Sequence, residues 1–389
     1  MRKKPFGRTG LELSILGFGC MRLPVIDPGD PQSIDRDKAE AMLRRAIDAG
    51  VNYVDTAWPY HAPDRAAPGA SEPFVARAIK GGYREKVNLA TKLPTWLVET
   101  RADMDRFLDR QLERLEVSRI DFYLAHNLNS LVWPRMKELK LREFMAGAVR
   151  DGRIGWAGFS FHDNYGLFEE IVTGYDWDFT QIQYNYLDEN YQAGRRGVEL
   201  AAGRGLGLIV MEPLRGGFLI RYIPDDIRKI LSETRPDWSL ADWAFRWLWN
   251  QPELGVVLSG MTEMPQVAEN LSIADAAGPM SEKEIAALDQ AKDMFRKRIK
   301  VGCTGCGYCL PCSQGVAISK VLAHYNDYYL MDAEEVRERT KFFFGAQMAP
   351  SEYPQNCIRC RECEKKCPQS LPLSEALAEA AGLFTCPSY

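Results

Sequence analysis

Cysteine is almost missing from the first 300 residues of this 389-residue chain: Cys20 stands alone there, and the other nine fall between Cys303 and Cys386. Long apolar runs are missing altogether. Nothing approaches the roughly 18 uninterrupted apolar residues that a membrane-crossing helix needs. The N-terminus, Met1-Arg2-Lys3-Lys4-Pro5-Phe6-Gly7, is basic but has no apolar run behind it, so it does not read as a secretory signal. A basic stripe is also lacking. With a formal net charge of −4 and scattered signs, the chain gives no reason to expect nucleic acid or a membrane surface as partner. Together these absences place the chain in the cytoplasm, where a disulfide framework is out of place. The late crowding of cysteines therefore points to metal.

What is present is ordinary in bulk, with 46% apolar and 26% charged residues, and regular in pattern. Short apolar runs alternate with segments of helical period. Strands are expected at residues 15–21, 52–57, 87–93, 120–126, 155–161, 179–184, 206–212 and 255–261, and helices follow them at 35–49, 104–115 and 240–250, among others. The strands are short, apolar and bounded by Gly or polar residues, as parallel strands buried on both faces are. Eight β-then-α units fit a closed (β/α)8 barrel better than an open doubly wound sheet, although counting alone does not separate the two. A hairpin over residues 4–14 precedes the first unit and is expected to plug the barrel's N-terminal end. A further helix at 281–298 opens with Ser281 as N-cap and Glu284 as its capping-box partner. The domain boundary is set near residue 297, giving a barrel over 1–297 and a cysteine segment over 298–389.

In such a barrel the C-terminal ends of the strands face the reaction. The second strand ends at Asp55, with Tyr60 shortly after; the third ends at Lys92 and the fourth at His126. Reduction of a carbonyl by hydride builds negative charge on oxygen, which needs a proton donor. A phenol is a weak acid with a pKa of about 10, and a neighbouring ammonium lowers it. Lys92 is expected to do this for Tyr60, Asp55 to hold Lys92, and His126 to orient the substrate oxygen. Met21, Arg22, Trp58 and Trp96 either line the pocket or pack its rim. Cys20 reads as a small buried residue.

These residues resemble the catalytic tetrad of the aldo/keto reductase superfamily, and the chain is similar to that superfamily over roughly residues 1–295, more closely to the branch with a C-terminal ferredoxin-like extension. The resemblance implies an NADPH or NADH site. Ser160 and Gln183 would contact the nicotinamide carboxamide and Tyr184 would stack on its ring. Pro213, Leu214, Arg215 and Gly216 would cover the pyrophosphate. Ser259, Gly260, Met261, Gln266, Glu269 and Asn270 would form the adenosine side. Many members place Lys or Arg where this chain has Gly260, Thr262 and Gln266, so strong NADPH preference is not expected unless Arg215 compensates.

The cysteines form two runs. The first is Cys303, Cys306, Cys309 and Cys312. The second is Cys357, Cys360, Cys363 and Cys367, followed by Pro368, which has the spacing of bacterial ferredoxins. Zinc also takes C-x-x-C pairs but explains two four-cysteine runs poorly. Two 4Fe–4S clusters are expected. In two-cluster ferredoxins the fourth cysteine of each run serves the other cluster. On that rule Cys367 joins Cys303, Cys306 and Cys309, while Cys312 joins Cys357, Cys360 and Cys363. The first run departs from the usual spacing by one residue, so the crossing is open to test. Cys386 is left over, and the insert between the runs, with the aromatics at 325–329 and 342–344, is expected to pack the clusters onto the barrel.

The leading expectation is an oxidoreductase interconverting a small-molecule carbonyl and alcohol, its clusters exchanging electrons with a redox partner protein or sensing redox state. Nicotinamide moves two electrons as hydride, whereas each cluster passes one, so direct exchange needs a mediator such as flavin. No dedicated flavin motif is present, although a barrel phosphate site accommodates a flavin phosphate. The alternatives are a partner-binding electron-transfer protein and clusters with a structural role only.

Overall fold

The computed structural model describes residues 1–303, 307–330, 333–367 and 369–384, apart from the side chains at 339, 342, 343, 346 and 347. Cys306, Pro368 and Cys386 therefore lie outside the described residues. The chain divides into two compact units, Met1–Arg215 with Ala241–Met280, and Gly216–Leu240 with Ser281–Tyr389. The sequence boundary near 297 divides the chain by motif, whereas compactness divides it at Met280.

In the first unit, β1 (Lys3–Pro5) and β2 (Glu12–Ser14) pair antiparallel as the N-terminal hairpin. Eight parallel strands then close on themselves, β10 lying beside β3. They are β3 (Leu16–Gly19), β4 (Tyr53–Asp55), β5 (Asn88–Leu93), β6 (Ile120–Leu128), β7 (Ile154–Phe161), β8 (Phe179–Gln183), β9 (Gly207–Met211) and β10 (Val256–Gly260). Every strand expected from the sequence is present, with ends shifted by a few residues.

Side chains alternate faces along a strand, and the inward set builds the barrel core: Tyr53, Ala90, Phe122, Leu124, Phe179, Ile209, Val256 and Leu258. Phe6, from the hairpin, joins them and meets Phe122 edge-on at 5.7 Å. It fits only because β9 begins with glycine. A Cβ at Gly207 would stand 2.3 Å from the Phe6 ring. The hairpin thus plugs the N-terminal end, and truncating a ring buried this way costs roughly 3–5 kcal/mol.

The second unit is mainly helical. Helix Glu282–Arg296 starts with the expected capping box: Ser281 N donates to Glu284 Oε2 at 2.7 Å, and Glu284 N donates to Ser281 Oγ at 3.4 Å. Helices Ile318–Leu330, Glu334–Gln347 and Leu373–Leu383 follow. Their buried faces share a core that includes Val321, Leu322, Tyr325, Phe344, Tyr353, Leu377 and Phe384. Phe344 stacks on Phe384 at 4.4 Å. The aromatics at 325 and 344 therefore build this unit's own core, while the side chains of Phe342 and Phe343 lie outside the described residues. No helix of the described residues is long and apolar enough to cross a membrane.

Candidate functional site

The strand ends bring the four expected residues together at the barrel's C-terminal mouth. Lys92 Nζ donates to Asp55 Oδ1 at 2.6 Å, to Thr56 O at 2.9 Å and to Tyr60 Oη at 3.1 Å. Lys92 and Asp55 are fully buried; Tyr60 and His126 are half-buried. The Tyr60 and His126 rings meet edge-on at 6.1 Å.

Burial opposes the Lys92 charge, but Asp55 and then Tyr60 outweigh it and hold the ammonium above its ordinary pKa. Burial raises Asp55, with Lys92 pulling the other way. Tyr60 departs from the sequence expectation. Lys92 does favour its phenolate, but burial is the larger effect and Tyr60 sits above the usual phenol value. It is therefore a protonated phenol at neutral pH. Burial first, and the Lys92 charge second, push His126 well below the ordinary imidazole value. The ring is neutral, and its Nδ1 is buried with no partner among the described residues.

Beneath the tetrad lies a buried network that sequence reasoning missed. The Glu72 carboxylate accepts from Thr91 Oγ1 at 2.8 Å, Gln111 Nε2 at 2.6 Å and Arg114 Nε at 2.8 Å. Gln111 Nε2 also donates to Lys92 O at 3.1 Å, and Arg114 donates to Gly69 O. The Gly69 amide in turn donates to Trp58 O. One carboxylate thereby ties the strand of Lys92 to the loop of Tyr60. Glu72 reads in sequence as an ordinary residue in the first turn of a helix, so no local signal marks it.

On the cofactor side the alternation of β8 corrects one expectation. Phe179 points into the core, so Gln181 and Gln183 also face inward and Tyr184 faces the helices. There the Tyr184 ring is buried 5.2 Å from Trp247, and its hydroxyl donates to Gln251 Oε1. Tyr184 offers no open face for stacking. Gln183 is occupied, donating to Asp188 Oδ2 at 3.2 Å and accepting from Gln192 at 3.3 Å. Gln181 is in register with Ser160, is buried, and has an Oε1 with no partner among the described residues. Its Nε2 approaches Met211 Sδ at 3.5 Å. Gln181 and Met211 are the inward residues that the sequence reading passed over.

After β9 the backbone turns through two non-glycine residues with positive φ, Glu212 at 56° and Arg215 at 49°, a strained geometry that clusters at functional loops. Pro213 is buried and Leu214 half-buried. Arg215 Nε donates to Asp188 Oδ2 at 3.1 Å. After β10, Asn270 Nδ2 donates to the buried Ser259 Oγ at 3.0 Å, and Gln266 Oε1 folds back onto Thr262 N at 2.8 Å. Met261 is buried, whereas Gly260 and Glu269 are exposed. The Arg22 stem runs past Gly260, 3.3 Å from where a Cβ would stand. The Arg22 guanidinium stands 3.7 Å from Glu212 Oε1. Trp96 meets His126 edge-on at 5.1 Å, while Trp58 turns away onto Phe107 at 5.0 Å. Met21 is exposed, and Cys20 is buried with its thiol pushed up by burial.

The sequence pattern of the aldo/keto reductase family matches residues 15–293. This chain belongs to the aldo/keto reductase family. A 4Fe–4S dicluster domain matches residues 302–371. The protein is therefore an aldo/keto reductase-type oxidoreductase with a 4Fe–4S domain. It is similar to the uncharacterized oxidoreductase YqkF of Bacillus subtilis strain 168, at 27% identity over 74% of this chain and 95% of that protein. It is also similar to L-glyceraldehyde 3-phosphate reductase of Escherichia coli O157:H7, at 24% identity over 75% and 92%. Among solved structures, the thermostable aldo-keto reductase Tm1743 with the inhibitor epalrestat superposes with a TM-score of 0.62 at 26% identity, covering 75% of this chain and all of that one. The holo aldo-keto reductase AKR11C1 of Bacillus halodurans gives 0.61 at 24% identity, covering 75% and 96%, and shares the fold.

In the 4Fe–4S domain, Cys303, Cys309 and Cys367 line one small cavity with Leu322, Leu371 and Leu373. Cys312, Cys357 and Cys363 pack against the same apolar core, and Cys360 is exposed. Among the described residues no three His, Cys, Asp or Glu converge on the position of a single ion. A cubane asks for something else, four thiolates spread around its corners.

Proposed function

We propose that the barrel (1–297) reduces a small-molecule carbonyl to an alcohol, or the reverse, with NAD(P)H, and that the C-terminal segment (298–389) carries two 4Fe–4S clusters. The observation that carries the first part is the buried Lys92 ammonium bound at once to Asp55 and Tyr60. The unpaired Oε1 of Gln181 beside Ser160 suits a nicotinamide carboxamide. When bound, the nicotinamide supplies hydride to the carbonyl carbon.

The chain supplies the rest. Neutral His126 donates an N–H to the carbonyl oxygen and fixes its direction. Tyr60 gives that oxygen its proton as the carbon–oxygen double bond becomes single. The phenolate left on Tyr60 is stabilised by Lys92, whose own charge is balanced by Asp55. Burial raises the pKa of Tyr60, which keeps it a donor until negative charge appears on the substrate oxygen.

The cavity lined by Cys303, Cys309 and Cys367 supports a cluster whose ligands come from both runs, with Cys306 as the fourth. Cys312, Cys357, Cys360 and Cys363 would hold the other. Such clusters supply one-electron transfer, which suits exchange with a redox partner protein or redox sensing. Tyr60→Phe tests the reading: carbonyl turnover should fall about 10²-fold or more, the scale of a lost general acid. Nucleotide affinity should stay put. Turnover near wild type would end the assignment.

A further inference from the structure

The loop between β4 and helix Ser71–Ala78 carries a cation that carbonyl reduction as described does not use. The Arg65 guanidinium lies over the Trp96 ring, 5.0 Å from its centre. Trp96 Nε1 donates back to Arg65 O at 3.0 Å, so two contacts fix the pair. The same indole meets the His126 ring edge-on at 5.1 Å. Arg65, Trp96 and His126 therefore form a continuous wall leading from the rim to the reacting oxygen. The charge of Arg65 reaches both His126 and His162, the latter just beyond β7.

Arg65 has no carboxylate partner among the described residues. Its neighbour Asp64 turns Oδ1 inward to accept from the amides of Ala66 and Ala67 at 2.8 and 2.9 Å. Lys92 adds a second positive charge below, and the two imidazoles facing Arg65 are held neutral. A guanidinium pre-oriented on an aromatic face, with its fork of donors unspent, suits a planar or tetrahedral oxyanion.

We infer that Arg65 selects substrates that carry a carboxylate or phosphate in addition to the carbonyl. Tyr60 and His126 hold the carbonyl oxygen while Arg65 holds the anion. The inference rests on the carbonyl-reduction reading above.

The test compares 4-carboxybenzaldehyde, 4-formylphenyl phosphate and the neutral methyl 4-formylbenzoate, in the full-length protein with NADPH. The wild type should favour at least one anion over the ester. Arg65→Met should raise KM for that anion about tenfold or more, the loss of one charge-assisted hydrogen bond, with kcat and ester turnover within about twofold. Arg65→Lys should restore most of the difference. Whichever anion loses more identifies the group.

Equal weakening of anion and ester, or no anion preference in the wild type, overturns the inference while leaving the reductase reading intact. If none of the aldehydes is reduced, the reductase reading fails. Calorimetry with 4-(hydroxymethyl)benzoate and its methyl ester then decides Arg65 by itself: a loss of affinity in Arg65→Met confined to the acid supports it, and equal affinities sink it.

Discussion

Lys92 and Asp55 form a buried ion pair, Nζ standing 2.6 Å from Oδ1 with neither side chain more than 3% exposed. A pair of this kind contributes little net stability against an apolar substitute, but removing one member strands the other charge in a low-dielectric interior. Asp55→Ala should therefore cost about 3–5 kcal/mol of barrel stability. The double variant Asp55→Ala/Lys92→Met should regain part of it. Urea unfolding followed by tryptophan fluorescence measures both. A single-variant loss under about 1 kcal/mol would mean that the pair is better solvated than its burial implies.

The tetrad also fixes a pH signature. His126 lies below the imidazole range and Tyr60 above the phenol range, so neither ionises between about pH 6.5 and 10. The profile of kcat/KM for reduction should be level across that window. Stability should behave differently. In the unfolded chain His126 takes up a proton near pH 6.5, while in the folded chain its pKa is lower. Its contribution is thus present above that pH and is lost as pH falls toward the folded value. His126→Gln should flatten this acid-side slope in urea midpoints measured from pH 7 downward. An unchanged slope would assign the effect to other groups.

Nucleotide choice follows from what surrounds Gly260. Thr262 and Gln266 bond to each other, and Arg215 is engaged by Asp188. Arg22 is the nearby cation, itself 3.7 Å from Glu212. Each charge-assisted hydrogen bond is worth roughly 1.5–3 kcal/mol, so one cation in place of several leaves a modest preference. Fluorescence titration should show NADPH favoured over NADH by less than about a hundredfold. Arg22→Ala should narrow the gap further. A larger preference would point to a cation elsewhere.

The cysteine segment allows a count. Anaerobically purified protein should carry about eight iron and eight sulfide per chain, as two cubanes require. Cys367→Ala and Cys360→Ala should damage different clusters, distinguishable by electron paramagnetic resonance, and the double variant should lose both. If the two single variants damage the same cluster, each run closes on itself. Zinc without sulfide would remove the electron-transfer half of the proposal.

The sequence was most legible where chemistry and periodicity coincide. Asp55, Lys92 and His126 sit at successive strand ends, so finding the strands found them. The cofactor side shows how small the margin is. Tyr184 and Gln183 are neighbours, yet a one-residue step along a strand reverses the face. That step put the stacking assignment on a helix-facing ring, while Gln181 lies two residues before Gln183 on the same inward face. Glu72 and Arg65 were beyond reach for another reason. Each matters through a partner far along the chain, Glu72 through Gln111 and Arg65 through Trp96, and no local pattern encodes those meetings.

The second compact unit is not one stretch of chain. Helix Asp225–Thr234 comes from the connection between β9 and β10, and it is bound to the C-terminal part twice. Asp226 takes a two-pronged bond from Arg298 at 2.9 Å, and Arg235 pairs with Glu284. A recombination breakpoint at residue 281 would cut both bonds and bare Ile227 and Leu231, and one at 298 would still cut the Asp226–Arg298 pair. The cysteine-bearing segment is thus not a cassette that can be moved between barrels by a single crossover. Transplanting it intact means carrying residues 216–240 along, and a chimera that leaves them behind inherits a helix matched to the wrong partner.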